Sequence, residues 1–299
     1  MTVVARTVDN YPTRSAGATG FRSRRDKTVW GSSGGPLDQS AISAYDANGY
    51  VIERALFSPS EIAGLTDALT DLSRDQRMLD DDRTVIEQAS MQVRSIFEAH
   101  KISADVDAVV RDPRILGAAQ QILGSDVYVH QCRINYMPGF RGTGFYWHSD
   151  FETWHAEDGM PVPRAVSVSI ALCDNYPFNG GLMLMPGSHR TFVPCRGETP
   201  RDNYRTSLRE QRIGVPTEPE ITELARRHGI SQFTGKAGDT LLFDSNVMHG
   251  SGNNITPFPR SNLFIVFNSV HNALQEPFAA PAARPNYIAS RDFTPVRRQ

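Results

Sequence analysis

The chain has 299 residues, 39% hydrophobic and 21% charged, the balance of a soluble globular protein with a sizeable core in one large domain or two ordinary ones. Its formal net charge of −2 supplies no global field for nucleic acid or an anionic membrane surface. No run approaches the roughly 18 apolar residues of a membrane span, and the N-terminus lacks the apolar core of a secretory signal. Three scattered cysteines, Cys132, Cys173 and Cys195, suit buried, inert thiols in a reducing cytoplasm. Lysine occurs only at Lys27, Lys101 and Lys236, so arginine is the default cation here and arginine motifs must be discounted accordingly.

Residues 1 to about 40 are rich in Arg, Ser, Thr and Gly without steady periodicity, and read as a mobile N-terminal arm, at most partly ordered against the body. Residues 41–299 then form a single domain. A short strand is expected at Tyr50–Ile52, followed by a helix opening near Ser58-Pro59-Ser60, where a hydroxyl cap and a proline suit the first turn. Ile62, Leu65, Leu69 and Leu72 recur along it at helical spacing. A second helical segment around Pro113–Leu123 stops at Gly124. From Asp126 the pattern changes to short β-type runs between Gly, Pro and Asn turns: DVYVHQCRINYMP, RAVSVSIAL, LMLMPGSH, GDTLLFD and SNLFIVFNSV. In RAVSVSIAL, Val166, Val168 and Ile170 alternate with Ala165, Ser167 and Ser169, which gives one face to a core and the other to something polar. A helical interlude is expected over Pro219–His228. The order predicts a mainly β protein with flanking helices, built on a jelly-roll double sheet.

The chemistry concentrates in FYWHSDFETWHAEDGMP, Phe145–Pro161. His148 and Asp150 with a distant His249 could hold a ferrous ion on one face and leave other positions open. Spacing alone decides nothing. With 8 His and 21 Asp, chance predicts roughly half a His-x-Asp pair. Arg follows His by eleven positions at His100/Arg111, His130/Arg141 and His249/Arg260, and His155-Ala-Glu157 mimics the dyad. Context separates them. His148 and Asp150 follow a strand and turn, His249 follows the buried run GDTLLFD, and the next strand opens after Pro259-Arg260. Arg260 could then clamp a carboxylate across the barrel from the metal. His100 falls in a helix, His130 inside a strand, His155 reads as a surface imidazole or one supporting the ligands, and His189 belongs to a loop. His228 and His271 read as surface residues. Zinc would accept the same donors, though no general base or closing fourth ligand is evident, and a non-catalytic cupin-like module stays open.

GFYWHSDFETWHAEDGMP, NGGLMLMPGSH, AGDTLLFDSNVMHGSGNNITPFPRSN and FNSVHN together resemble the ectoine hydroxylases, a branch of the phytanoyl-CoA dioxygenase superfamily, over roughly Tyr45–Arg291. The resemblance implies a double-stranded β-helix (jelly-roll, cupin-like) core, Fe(II) as metal, and 2-oxoglutarate and dioxygen as cosubstrates. By position, His148, Asp150 and His249 would bind iron and Arg260 the distal carboxylate of 2-oxoglutarate, with Asn135 and Ser251 nearby. Gln131, Trp154, Phe267 and Arg284 would line a pocket for ectoine, a small zwitterionic ring. The indole face of Trp154 suits its delocalised cation, Arg284 its carboxylate, and Gln131 offers both a donor and an acceptor. Where some relatives carry a lysine near the cosubstrate, this chain has Met137. The reaction implied is hydroxylation of ectoine to 5-hydroxyectoine, or the same chemistry on another small amino acid such as proline. Asp150 argues against halogenation, since related halogenases vacate that position for halide. The expected protein binds no nucleic acid and no membrane, is cytoplasmic, and would be unsurprising as a homodimer.

Overall fold

The computed structural model describes residues 8–17, 20–31, 34–87 and 91–298. Its strands are β1 (Arg22–Ser23), β2 (Tyr50–Glu53), β3 (Thr84–Glu87), β4 (Gln92–Phe97), β5 (Val127–Met137), β6 (Phe145–His148), β7 (Ala165–Ala171), β8 (Leu182–Leu184), β9 (Thr191–Phe192), β10 (Ser231–Gln232), β11 (Thr240–Asp244), β12 (His249–Ser251) and β13 (Arg260–Ser269). Seven form one sheet in the order β2-β11-β7-β13-β5-β4-β3, four form a second in the order β10-β8-β12-β6, and β1 pairs with β9. Every ladder is antiparallel, and most neighbours are remote in sequence, as jelly-roll winding requires.

Alternation along the strands of the large sheet separates two faces. Leu263, Ile265 and Phe267 of β13, with Val166, Val168 and Ile170 of β7, enter the main core, which also contains Ile62, Leu65 and Leu69 of the helix Pro59–Arg74. Leu116 and Ile122 of the helix Pro113–Leu123 join them. Polar side chains occupy the inner face: Ser169 accepts a hydrogen bond from Asn262 Nδ2 at 2.9 Å. On β5 the register with β13 slips, Val266 opposing Gln131 and Phe267 opposing Val129, so His130 is an extra residue that resets the alternation. Beyond it Cys132 and Ile134 face the core, while Gln131, Arg133 and Asn135 line the cavity between the sheets.

Both sequence-predicted helices form with their expected ends. Ser58 and Glu61 make a reciprocal capping box with proline in the first turn, and Gly124 closes the other helix at φ 58°. The third helix runs Glu218–His228.

The described residues of the 1–40 segment are anchored against the body. Tyr11 is 1% exposed and packs edge-on against Phe151 and Phe192, each at 5.1 Å. Arg14 and Arg24 make buried ion pairs with the body, and β1 adds a short ladder. The sequence shows no periodicity because this segment is a strap held by single anchoring side chains, not a regular element with a repeating face.

Ile265 is fully buried in the centre of the large sheet. Ile265→Ala should lower unfolding free energy by about 2–5 kcal/mol in urea titration, through lost burial and the cavity left behind.

Candidate active site

Strands β6 and β12 pair so that His148 and His249, a hundred residues apart in sequence, stand directly opposite each other. Their rings lie 4.3 Å apart between centroids. After His148 the chain leaves the strand at Ser149 and starts a short helix at Asp150, which passes into a wide turn over Trp154–Asp158. Asp150 is thereby turned back towards both imidazoles, with Oδ1 3.7 Å from His148 Nε2 and Oδ2 3.8 Å from His249 Nε2. These separations are too long for hydrogen bonds and suit three ligands of one cation.

The tautomers agree. His148 Nδ1 lies 2.7 Å from the Tyr146 carbonyl and His249 Nδ1 3.0 Å from the Val247 carbonyl. Each Nδ1 donates to its carbonyl, leaving each Nε2 with a lone pair facing Asp150. Burial, then the neighbouring His249, pulls the His148 pKa from 6.5 down to about 4, so the imidazole stays neutral and ready to ligate. The three donor atoms lie within 4.8 Å of one another, and this is the one such cluster among the described residues. Two imidazoles and one carboxylate on one side, with no fourth protein donor, fit the open-faced coordination of ferrous iron.

Hydrogen bonds fix the backbone around the ligands. Ser149 Oγ donates to Asn246 Oδ1 at 3.0 Å, and the Phe151 N–H donates to the Ser245 carbonyl at 2.7 Å, tying the Asp150 turn to the segment that leads into His249. Asn246 is held in turn by Asp244, whose other oxygen pairs with Arg24 at 2.8 Å.

Two arginines in the cavity have no carboxylate partner among the described residues. Arg260, at the start of β13, is 7% exposed; its Nη2 contacts only Met137 Sδ at 3.9 Å, and its Nε has no partner. Burial brings its pKa down to about 10, so it remains a cation at neutral pH. Arg133 on β5 donates to Gln131 Oε1 at 2.7 Å and its Nε is likewise unpartnered, while burial also lowers its pKa. An unneutralised buried guanidinium is costly unless an anion completes it. Two of them beside an open metal-ligand face fit a site for carboxylate-bearing molecules, one of which can be 2-oxoglutarate; zinc alone would not call for them.

Of the residues expected here, His148, Asp150, His249, Arg260, Asn135, Ser251, Gln131, Trp154 and Arg284 all line one cavity. Asn135 Oδ1 accepts from Ser95 at 2.7 Å, and Ser251 Oγ accepts the Phe145 N–H at 3.1 Å. Phe267 is a correction: it lies in the main core on the opposite face of β13, and Phe264, of the other parity, lines the cavity instead. Arg284 lines the cavity as expected, while its Nε and Nη2 grip Asp158 at 2.7 and 2.6 Å, a pair that does not use Nη1. Burial opposes both charges, but their attraction outweighs it and holds the Asp158 carboxyl at about 2. Gln131 is also less free than expected, since its Nε2 donates to the Ile288 carbonyl at 2.7 Å while its oxygen holds Arg133. Arg133 is the residue that sequence reasoning missed. Its signal was the alternation Gln131-x-Arg133-x-Asn135 along one strand face.

The other histidines find structural places. His155 is no surface imidazole: it is fully buried, stacked on Phe278 at 4.1 Å, and bonded to the Met160 carbonyl. His130 is buried beneath Trp154, edge-on at 5.0 Å. His189 sits buried in a tight turn, and His271 is exposed. Cys132, Cys173 and Cys195 are free thiols, and burial pushes Cys132 up to about 12. No helix among the described residues is long and apolar enough to cross a membrane.

The family model for phytanoyl-CoA dioxygenase (PhyH) matches residues 45–262. An ectoine dioxygenase of Nocardia farcinica is 64% identical over 289 residues, covering 97% of this chain and 96% of the relative. One from Streptomyces anulatus is 55% identical over 291 residues, covering 97% and 98%. The crystal structure of EctD from S. alaskensis with 2-oxoglutarate and 5-hydroxyectoine superposes with a TM-score of 0.89 at 44% identity, covering 97% of this chain and 98% of that one.

Two outcomes follow from these charges. Asp158→Asn strands the buried Arg284 and should cost about 3–5 kcal/mol of stability in chemical denaturation. His148 has its pKa depressed on folding, from 6.5 to about 4. Its contribution is therefore complete above about pH 6.5 and is lost as pH falls towards about 4, where the folded protein must also protonate. Urea midpoints of the metal-free protein should decline across that window, and less steeply in His148→Gln; identical slopes would refute the assignment.

Proposed function

The chain belongs to the phytanoyl-CoA dioxygenase family, and on that footing we propose that it hydroxylates ectoine to 5-hydroxyectoine, consuming 2-oxoglutarate and dioxygen and releasing succinate and carbon dioxide. The observation that carries this reading is the juxtaposition of the His148–Asp150–His249 face with two unneutralised arginines in one cavity. The 64% identity to an ectoine dioxygenase supports the choice of substrate.

His148, Asp150 and His249 would hold Fe(II). Bound there with its cosubstrates, the metal supplies the oxidising chemistry that replaces a ring C–H by C–OH. The protein's own residues do the rest by position and charge. Arg260 pairs with the distal carboxylate of 2-oxoglutarate, in the apolar setting of Met137 that makes a charge-assisted bond strong. Arg133, which has no carboxylate partner among the described residues, takes the ectoine carboxylate, with Arg284, held by Asp158 through Nε and Nη2, in the same cavity wall. Gln131 holds the Arg133 fork in place. Trp154, 3% exposed and braced by His130, offers an indole face to the delocalised ring cation. Phe264 and Leu182 keep the remaining walls dry, which limits wasteful reaction with water. The free thiols suit the reducing cytoplasm where we place the protein.

Purified protein supplied with Fe(II) and 2-oxoglutarate should form succinate in step with added ectoine and hydroxylate it, and should respond far less to proline. Absence of ectoine-dependent succinate would sink the assignment. Asp150→Ala should reduce turnover to background with an unchanged circular-dichroism spectrum, because the ligand face is lost while the fold is not.

A further inference from the structure

Arg14 lies outside the cavity, in the N-terminal strap, yet it is more completely bonded than any cavity arginine. Its Nε and Nη2 grip Glu152 bidentately at 3.0 and 2.9 Å. Nη1 donates to Glu157 at 2.5 Å and to Thr199 Oγ1 at 2.9 Å, and Nη2 also reaches Thr153 Oγ1 at 3.4 Å. All five N–H groups of the fork are used. The side chain is fully buried, as are those of Glu152 and Glu157 to within 2%. Its backbone occupies the left-handed region at φ 54°, which a non-glycine residue adopts only where its surroundings impose it. Those surroundings are visible: the Arg14 N–H donates to the Cys195 carbonyl at 2.7 Å, and Thr13 bonds both Glu152 and the Cys195 N–H.

The partners of Arg14 come from two segments that wall the cavity. Glu152, Thr153 and Glu157 belong to the turn that begins with Asp150 and carries Trp154. Thr199 opens the stretch 199–211, whose Ser207, Leu208 and Gln211 line the cavity opposite. Two more bonds join the same segments: Asn203 Nδ2 donates to Glu157 Oε1 at 2.8 Å, and Gln211 Nε2 to Thr153 Oγ1 at 3.1 Å. Gly214 lies against this cluster, where a Cβ would come within 2.4 Å of Arg14 Nη2 and 2.5 Å of Glu152 Oε2.

We propose that Arg14 is a positioning residue for hydroxylation: it locks the 199–211 stretch to the Asp150–Asp158 turn and so sets the width of the substrate end of the cavity. The inference rests on the ectoine-hydroxylase reading above. Among the described residues, no hydrogen bond or ion pair of Arg14 reaches the end where Arg260 stands. A loosened substrate end therefore predicts a selective defect. Ectoine is held less well and less accurately, while 2-oxoglutarate binds as before and is consumed without matching hydroxylation.

The test compares wild type with Arg14→Met, Arg14→Lys and the pair Thr199→Val/Asn203→Ala, measuring KM for each substrate, melting temperature, and the ratio of 5-hydroxyectoine to succinate. Wild type is assayed first; if it does not hydroxylate ectoine, the functional reading fails, independently of Arg14. The expected result is a rise in KM for ectoine on the order of tenfold and a fallen product ratio in Arg14→Met. The KM for 2-oxoglutarate should stay unchanged. Arg14→Lys keeps the charge but not the fork, and should recover melting temperature more than product ratio. If Arg14→Met fails to fold, the Thr199→Val/Asn203→Ala pair, which leaves the strap intact, decides by the same two readouts. Variants with wild-type KM for ectoine and wild-type product ratio, differing only in stability or active fraction, would overturn the proposal.

Discussion

The site depends on keeping two guanidinium groups, the buried Arg260 and the half-buried Arg133, unneutralised. A folded protein avoids this wherever it can: Arg14 is answered by Glu152 and Glu157, Arg24 by Asp244, and Arg284 by Asp158. Arg260 and Arg133 are left without such partners among the described residues, although both line the cavity between the sheets. Their cost is tolerated because it is returned when ligand carboxylates arrive. The large sheet makes this possible. Arg260 sits where β13 begins, opposite Met137 at the end of β5, and Arg133 lies further along β5 on the same inner face. Neither strand can move a cation without breaking ladders on both sides.

Across the cavity the small sheet presents the opposite charge. Pairing of His148 with His249 across β6 and β12 brings two imidazoles together, and the turn after Ser149 adds the Asp150 carboxylate. A cation held there faces two arginines, and an anionic cosubstrate can bridge the two charges. The strap beneath is part of the same design. Arg24 reaches Asp244 just before His249, and Arg14 reaches Glu152 just after Asp150, so both metal-ligand segments are tied to the N-terminal residues.

Much of this was legible in the sequence, and where it was not the reason is physical. Capping residues announced the helices at Ser58 and Gly124, and period-two patterning announced the strands of the large sheet. The ligand triad needed more than spacing, since His-x-Asp arises by chance; its order before a strand-associated His249 and Arg260 supplied the rest. Phe267 was placed in the pocket by resemblance, although it shares its face of β13 with the core residues Leu263 and Ile265, so alternation along the strand alone points it to the core. Arg284 was placed at the pocket by resemblance, and its pair with Asp158, 126 residues away, leaves no local trace in the sequence. The anchoring of the strap was not legible because it comes from long-range ion pairs at Arg14 and Arg24, which leave no periodic trace.

In the proposed division of the ligands, Arg260 takes 2-oxoglutarate and Arg133 takes ectoine. Anaerobic calorimetric titration of the Fe(II)-loaded protein with 2-oxoglutarate, then ectoine, tests it directly in wild type, Arg260→Met and Arg133→Met. Removing a charged hydrogen-bond partner should weaken binding by on the order of 10–100-fold. The account predicts that Arg260→Met loses 2-oxoglutarate affinity and Arg133→Met loses ectoine affinity while still binding 2-oxoglutarate normally. Wild-type affinity for 2-oxoglutarate in Arg260→Met, or equal loss of both ligands in both variants, would contradict it.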